Sequence, residues 1–405
     1  MAAFATPTYN KNDLGEPAGG LSSTEVYATG VNNVGVVSGY YQLSGGNPIA
    51  VIWWSNGSGG YSSSNVRSLG NPGAGCTGCY ATAISPAVPD GNGNWIAYVA
   101  GYATFAHTNP GNISHNYVCI WKITSTNQYI WSGANATITP SYDELVTITG
   151  VANQSVIISA VNNTGTTGQA FGTTITGILS STRHNHAFSP SGSTITDGGI
   201  MAPPIGESDA GTGDAGTWVN NDSTPFYIGN RVDGLGNLRG LYFPSGSSTF
   251  SDLEAGTWLS GANDYDPIGC SDTISGTIYI VGSYHLDGNP WVATYWTYSS
   301  GSLAAGNMAF SVAAGFTGWA GTYATAMATN KDICGYATVG TSSVATFRPW
   351  SGDLDDLNSL ISGGTGIDYL NSTGIAYDGT NLLDYVAVQA VNGSGIHRGY
   401  VITYG

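Results

Sequence analysis

Apolar positions along this chain come in short runs, and the runs recur seven times at a spacing of about 50 residues. Each copy opens on small residues, continues in an aliphatic run ending in Gly-Tyr or similar, and finishes in an apolar-aromatic run closed by a Gly-rich turn. The clearest copy reads Ala28-Thr29-Gly30-Val31-Asn32, then Val36-Val37-Ser38-Gly39-Tyr40, then Ala50-Val51-Ile52-Trp53. Later copies open at Ala81-Thr82, Thr149-Gly150, Thr217-Trp218, Ile268-Gly269, Ala324-Thr325 and Ser372-Thr373. These runs predict three strands per copy, and a fourth follows the aromatic one, as at Val66-Arg67-Ser68-Leu69. Four antiparallel strands repeated at this period predict a β-propeller or a β-solenoid.

The ends of the chain favour a ring. The seventh copy stops at Tyr404-Gly405, after its third strand, while Phe4-Ala5-Thr6-Pro7-Thr8-Tyr9 is a spare extended segment ahead of the first. Pairing that segment with the last blade removes an exposed sheet edge, which a solenoid would not need. The predicted fold is therefore all-β, a single seven-bladed propeller spanning 1–405. Residues 1–20 serve as closing strand and linker, with blades at roughly 21–73, 74–140, 141–200, 201–255, 256–305, 306–362 and 363–405. The small opening residues suit innermost strands crowded around the axis, and the aromatic third strands suit the wider packing further out.

Composition supports strands and turns. Charged residues are 8% of the chain, with three lysines and five glutamates, against 60 glycines and 25 tyrosines. The net charge of −16 supplies no basic footprint for nucleic acid and argues against adhesion to anionic lipid. No run of 18 apolar residues predicts membrane insertion, and MAAFATPTYNKNDLGEPAGG has neither the basic nor the apolar part of a signal peptide. The composition nonetheless suits an extracellular protein or a component of a virion surface. Five cysteines leave one over. Cys76 and Cys79 form either a local disulfide or two free thiols, while Cys119, Cys270 and Cys334 sit in apolar strand patterns as buried thiols.

The units resemble the HAF-type repeats of bacterial extracellular proteins, through His186-Ala187-Phe188 and the ending Asp356-Leu357-Asn358-Ser359-Leu360. The resemblance is clear in copies 1, 2, 6 and 7 and weak in 4 and 5. It implies a surface-exposed propeller and carries over no catalytic residue.

In a four-stranded blade the connections after the second and fourth strands open on one face, and the long insertions fall there, including 103–117, 161–185, 131–145 and 200–216. That face is where binding is expected. It carries Trp131, Tyr142, Asp143, Glu144, Asp264, Tyr265, Asp266, Trp319, Asp368 and Tyr369, aromatics beside carboxylates as a sugar requires. Glu207, Asp209 and Asp214 are the weak candidates for calcium, the cofactor this acidity allows, without a twelve-residue calcium loop. His184 and His186 share a strand face but lack a third metal ligand.

Two readings of function follow. The first is a non-catalytic surface propeller with a structural or adhesive role, binding glycan or a partner protein through the long-loop face, or packing against neighbouring subunits of a larger assembly. The alternative is a secreted carbohydrate-active hydrolase or lyase, with Asp143-Glu144 or the 207–214 carboxylates as its acid and base. Innermost strands opening on Ala, Thr, Gly and Ile favour the first.

Overall fold

The computed structural model describes residues 9–15, 24–56, 60–105, 116–144, 154–164, 167–176, 182–200, 217–220, 222, 226–232, 237–244, 251–253, 262–286, 288–305, 318–361 and 367–405. They form seven antiparallel sheets arranged as a seven-bladed β-propeller with almost no helix. The chain starts in β1 (Tyr9–Asp13). Blade 1 follows as β2 (Glu25–Val31), β3 (Val37–Gln42), β4 (Ile49–Trp53) and β5 (Val66–Ser68). Blade 2 comprises β6 (Cys76–Ile84), β8 (Trp95–Phe105), β9 (Asn116–Ser125) and β10 (Ala136–Glu144), with β7 (Val88–Pro89) paired to β8. Blade 3 is β11 (Gln154–Val161), β12 (Ala170–Thr176), β13 (Thr182–Ser191) and β14 (Thr194–Ile200). Blade 4 is β15 (Thr217–Val219), β16 (Tyr227–Val232), β17 (Leu238–Phe243) and β18 (Ser251–Asp252). Blade 5 is β19 (Ala262–Cys270), β20 (Thr277–Leu286), β21 (Val292–Ser299) and β22 (Ser302–Ala305). Blade 6 is β23 (Trp319–Met327), β24 (Ile333–Val339), β25 (Ser342–Arg348) and β26 (Asp355–Asp356), followed by α1 (Leu357–Leu360). Blade 7 is β27 (Ile367–Asp378), β28 (Leu383–Asn392) and β29 (His397–Tyr404), and β1 completes it.

The closing strand thus joins the two ends of the chain, in antiparallel register from Tyr9↔Tyr404 to Asp13↔Tyr400. It lies a few residues later than the segment expected from sequence: Tyr9 begins it, and residues 1–8 lie outside the described residues. The side chains explain the choice. Tyr9 lies 4.9 Å from Tyr404 and 6.0 Å from Phe347 between ring centroids, and Leu14 enters the core at the seam of blades 7 and 1.

The core is laminar, one apolar layer between each pair of neighbouring blades. Five of its large aromatic side chains come from third strands, where the sequence places the aromatic runs: Trp53, Trp121, Phe188, Trp296 and Phe347 are all essentially fully buried. Each such side chain contributes about 1.5–3 kcal/mol. On the innermost strands β2 and β6, buried and half-buried residues alternate, as a period of two demands.

One irregularity recurs in six blades and accounts for the opening motif. The innermost strand carries an extra residue relative to its partner at Thr29, Thr82, Ser159, Ile268, Thr325 and Thr373. A bulge re-aims the inserted side chain, and three of the threonines use this to stitch blade to blade. Thr325 Oγ1 donates to Ser372 O (2.8 Å), Thr373 Oγ1 to Ala28 O (3.1 Å) and Thr29 Oγ1 to Ala81 O (2.9 Å), each acceptor standing just before the next blade's inserted threonine. The glycine of the Gly-Tyr motif belongs to the same device. A Cβ at Gly39, Gly101, Gly172, Gly282 or Gly335 would run into the carbonyl oxygen of Tyr27, Tyr80, Ile157, Asp266 or Tyr323, respectively.

Candidate functional site

The rim on the long-loop side is built from the first halves of the innermost strands and the second halves of their neighbours. In three blades the residue two before the inserted threonine is tyrosine, and it pairs across the strands with the tyrosine after the motif glycine: Tyr27↔Tyr40, Tyr80↔Tyr102 and Tyr323↔Tyr336. Their rings stack at 4.6, 4.8 and 4.5 Å. The pairs then join into arcs. His397 stacks on Tyr27 at 5.2 Å, and Tyr40 meets Tyr80 edge-on at 5.0 Å, so one arc crosses blades 7, 1 and 2. The other crosses blades 5 and 6, from His285 to Trp291 (5.3 Å), Tyr323 (6.0 Å) and Tyr336.

These rings are half-buried, and burial dominates their electrostatics. It pushes the phenols of Tyr40 and Tyr336 up to about 12, with neighbouring tyrosines adding to the shift, and raises those of Tyr27, Tyr80, Tyr102 and Tyr323 as well. The phenols therefore remain hydrogen-bond donors throughout the neutral range. Carboxylates lie among them: Tyr27 donates to Glu25 Oε2 at 3.0 Å, and Asp264 lies 3.0 Å from His285 Nδ1 while accepting from Leu238 N at 2.6 Å. Where blades 4 and 5 meet, Asn230 Nδ2 donates to Asp266 Oδ1 (2.7 Å), a polar contact in the place of the Tyr40–Tyr80 edge.

Among the residues singled out from sequence, Asp264 and Asp266 stand on this rim and Asp368 is exposed at the start of β27, whereas several others do not face it. Trp131 lies on the opposite face, because 126–135 connects the third and fourth strands of blade 2 and 136–144 is itself a strand. It is fully buried, its Nε1 donating to Gln128 O at 2.8 Å. Tyr142 sits in β10 and accepts from Trp121 Nε1 at 2.9 Å; Asp143 beside it accepts from Ile195 N at 3.5 Å, and Glu144 ends the strand. Tyr265 and Tyr369 are buried between blades, against Trp296 and Tyr400. Trp319 opens β23, half-buried against the core between blades 5 and 6. Glu207, Asp209 and Asp214 lie outside the described residues. Cys76 and Cys79 are free rather than bridged: Cys79 packs into the core between blades 1 and 2, and Cys76 donates to Gly78 O at 3.3 Å. His186 pairs with Asp197 at 3.1 Å and stacks on Phe188. The sequence signal for the rim pairs is a repeated Tyr-Ala-Thr (27–29, 80–82, 323–325), which marks each innermost pair partner.

A second feature lies on the axis. A cavity of about 230 Å³ is lined by the ends of innermost strands and their following turns from blades 1, 2, 3, 5, 6 and 7. It belongs to the half of the channel away from the long loops. Thr29, Thr82, Ser159, Thr325 and Thr373 supply hydroxyls from the inserted positions, Ser271 and Thr329 add two from the following turns, and Asp272 is the one carboxylate among the described residues that line it.

The most perturbed acids form a third. Asn330 Nδ2 donates to Asp332 Oδ2 (3.1 Å) and to both oxygens of Asp384 (3.0 and 3.1 Å), tying blade 6 to blade 7. Both carboxyls are buried, and burial together with the Asp332 charge raises Asp384 to about 8. Among the described residues no three His, Cys, Asp or Glu side chains come together as a metal ion would require.

No family model and no curated protein matches the chain. Solved structures similar to it include a Trypanosoma rangeli sialidase, at 9% identity and a TM-score of 0.45 over 98% of this chain and 60% of that one. A prolyl endopeptidase matches at 9% identity and 0.47, over 94% of this chain and 50% of that one. A fucose-specific lectin from Aleuria aurantia matches at 12% identity and 0.39, over 83% and 95%. This chain spans about 60% of the length of the sialidase chains it matches.

Proposed function

We propose that this protein is a non-catalytic propeller of an extracellular or virion surface, with a structural or adhesive role, holding glycan through its long-loop face. The observation that carries the reading is the pair of aromatic arcs on that rim, interleaved with Glu25, Asp264 and Asp266. Rigid ring edges with protonated phenols beside carboxylates supply apolar surface, donors and acceptors in the proportions that sugar hydroxyls and C–H faces need. The axial cavity favours binding over catalysis. A glycosidase places two carboxyls about 5–10 Å apart across the scissile bond, whereas the described lining of the cavity includes one, Asp272.

The test is to incubate the protein with a panel of bacterial and plant polysaccharides and follow both retention and release of reducing ends. Retention without release, weakened by Tyr80→Ala and Tyr102→Ala, is expected. Release of reducing ends makes the protein a hydrolase or lyase instead. Retention that survives both substitutions removes the arcs from the site.

A further inference from the structure

The axial cavity has a chemistry of its own, separate from the rim. Five hydroxyls on inserted residues have their protons engaged by main-chain carbonyls: Thr29 with Ala81 O, Thr82 with Ala100 O (3.3 Å), Ser159 with Phe171 O (3.4 Å), Thr325 with Ser372 O and Thr373 with Ala28 O, and Ser271 Oγ likewise donates to Asp272 O (2.7 Å). A hydroxyl has one proton and two lone pairs, so what remains on these five oxygens is acceptor capacity. Asp272 adds a carboxylate, and no lysine, arginine or histidine is among the described lining residues. The chain's net charge of −16 attracts cations to the molecule as a whole. Among its lining residues Ile84, Val161, Met327 and Ile375 are apolar.

We propose that the axial cavity binds a primary ammonium carried on a short aliphatic chain, such as a small diamine, a polyamine end or a lysine side chain of a partner. The ammonium has three donors and no acceptor, the complement of a ring of hydroxyl oxygens with one carboxylate. Methylenes match the aliphatic walls. The 230 Å³ of the cavity holds such a group with room to spare, since one water needs only about 10–15 Å³ by this measure. A neutral polyol is the nearest competitor. It would use the same oxygens together with Asn32 Nδ2, a donor that has no partner because Asn32 Oδ1 holds the amides of Val34 and Val36.

Calorimetric titration at low salt with n-butylamine and 1,4-diaminobutane, against 1,4-butanediol as the neutral probe, decides between them. Saturable binding of the amines is expected, weakening as salt is raised and falling about tenfold in Asp272→Asn through loss of the charged partner. Thr82→Val, which removes one acceptor, should weaken the amines by a smaller factor; Asp90→Asn, an exposed turn carboxylate, should change nothing. No saturable binding of either amine overturns the proposal. So does equal binding of the diol, or amine binding that Asp272→Asn and Thr82→Val leave intact. Polysaccharide retention by the rim is read independently, so either result can fail without the other.

Discussion

Replacing Leu14 with alanine should loosen the ring where it closes. The side chain is fully buried at the seam of blades 7 and 1, in one cluster with Val26, Trp53 and Val401. Its amide donates to Gly399 O at 3.2 Å, so the backbone holds the position and the space left by truncation cannot readily collapse. Truncations of this kind cost about 2–5 kcal/mol. With an unfolding entropy of about 2.1 cal/mol/K per residue, 405 residues give roughly 0.85 kcal/mol/K, and the cost becomes a fall in Tm of about 2–6 °C. Differential scanning calorimetry of Leu14→Ala beside Lys11→Ala, whose side chain is exposed on the same strand, measures it. Deleting residues 1–14 should do more, because it also removes the β1 ladder, the Tyr9 ring contacts and the Asp13–Arg398 ion pair (3.0 Å), and frees the edge of β29 for self-association. A Leu14→Ala protein melting within about 1 °C of the parent, and a deletion that stays monomeric, would refute closure by this strand.

The bulge device predicts that Gly335→Ala, whose Cβ would strike the Tyr323 carbonyl, costs about 1–3 kcal/mol in denaturant unfolding, while Gly133→Ala, in open space, stays within about 0.5 kcal/mol. Thr373→Val removes one of two donors to Ala28 O, Gln389 Nε2 being the other, and should cost about 0.5–1.5 kcal/mol by the same assay; an unchanged midpoint would remove the inter-blade stitch. Because Asp384 binds its proton more tightly folded than unfolded, its contribution is complete below the ordinary carboxylate range and is lost as pH rises towards about 8. Tm should therefore fall from pH 5 to 8 in the parent and less steeply in Asp384→Asn, with equal slopes counting against the buried pair. All five thiols are free, so non-reducing mass spectrometry should show no loss of two hydrogens, and thiol reagent should count five groups only after denaturation.

Repetition makes the architecture legible in the sequence. Seven copies of one pattern can satisfy their apolar runs only against one another, so the blade count, the aromatic third strands and the need for a closing strand all follow from local pattern and chain ends. The candidate site was legible only in part. Asp264 and Asp266 stand on the long-loop rim, whereas Trp131 belongs to the other face and Tyr265 and Tyr369 to the core. Whether an aromatic ring faces solvent depends on which strand end it occupies, and a shift of one connection inverts that assignment.

What the sequence determined by itself, then, is everything that depends on periodicity: all-β class, ring closure, and the small residues around the axis. The tertiary structure alone decided what those small residues do. A Thr-Gly or Thr-Ala pair reads as a compact strand opening until the bulge turns the hydroxyl sideways onto the next blade's carbonyl. Likewise Tyr-Ala-Thr reads as three strand residues until strands from different blades bring Tyr40 and Tyr80 within 5.0 Å. Both are contacts between residues about 40 or more positions apart, set by the angle at which rigid sheets pack around an axis, and no local pattern encodes that angle.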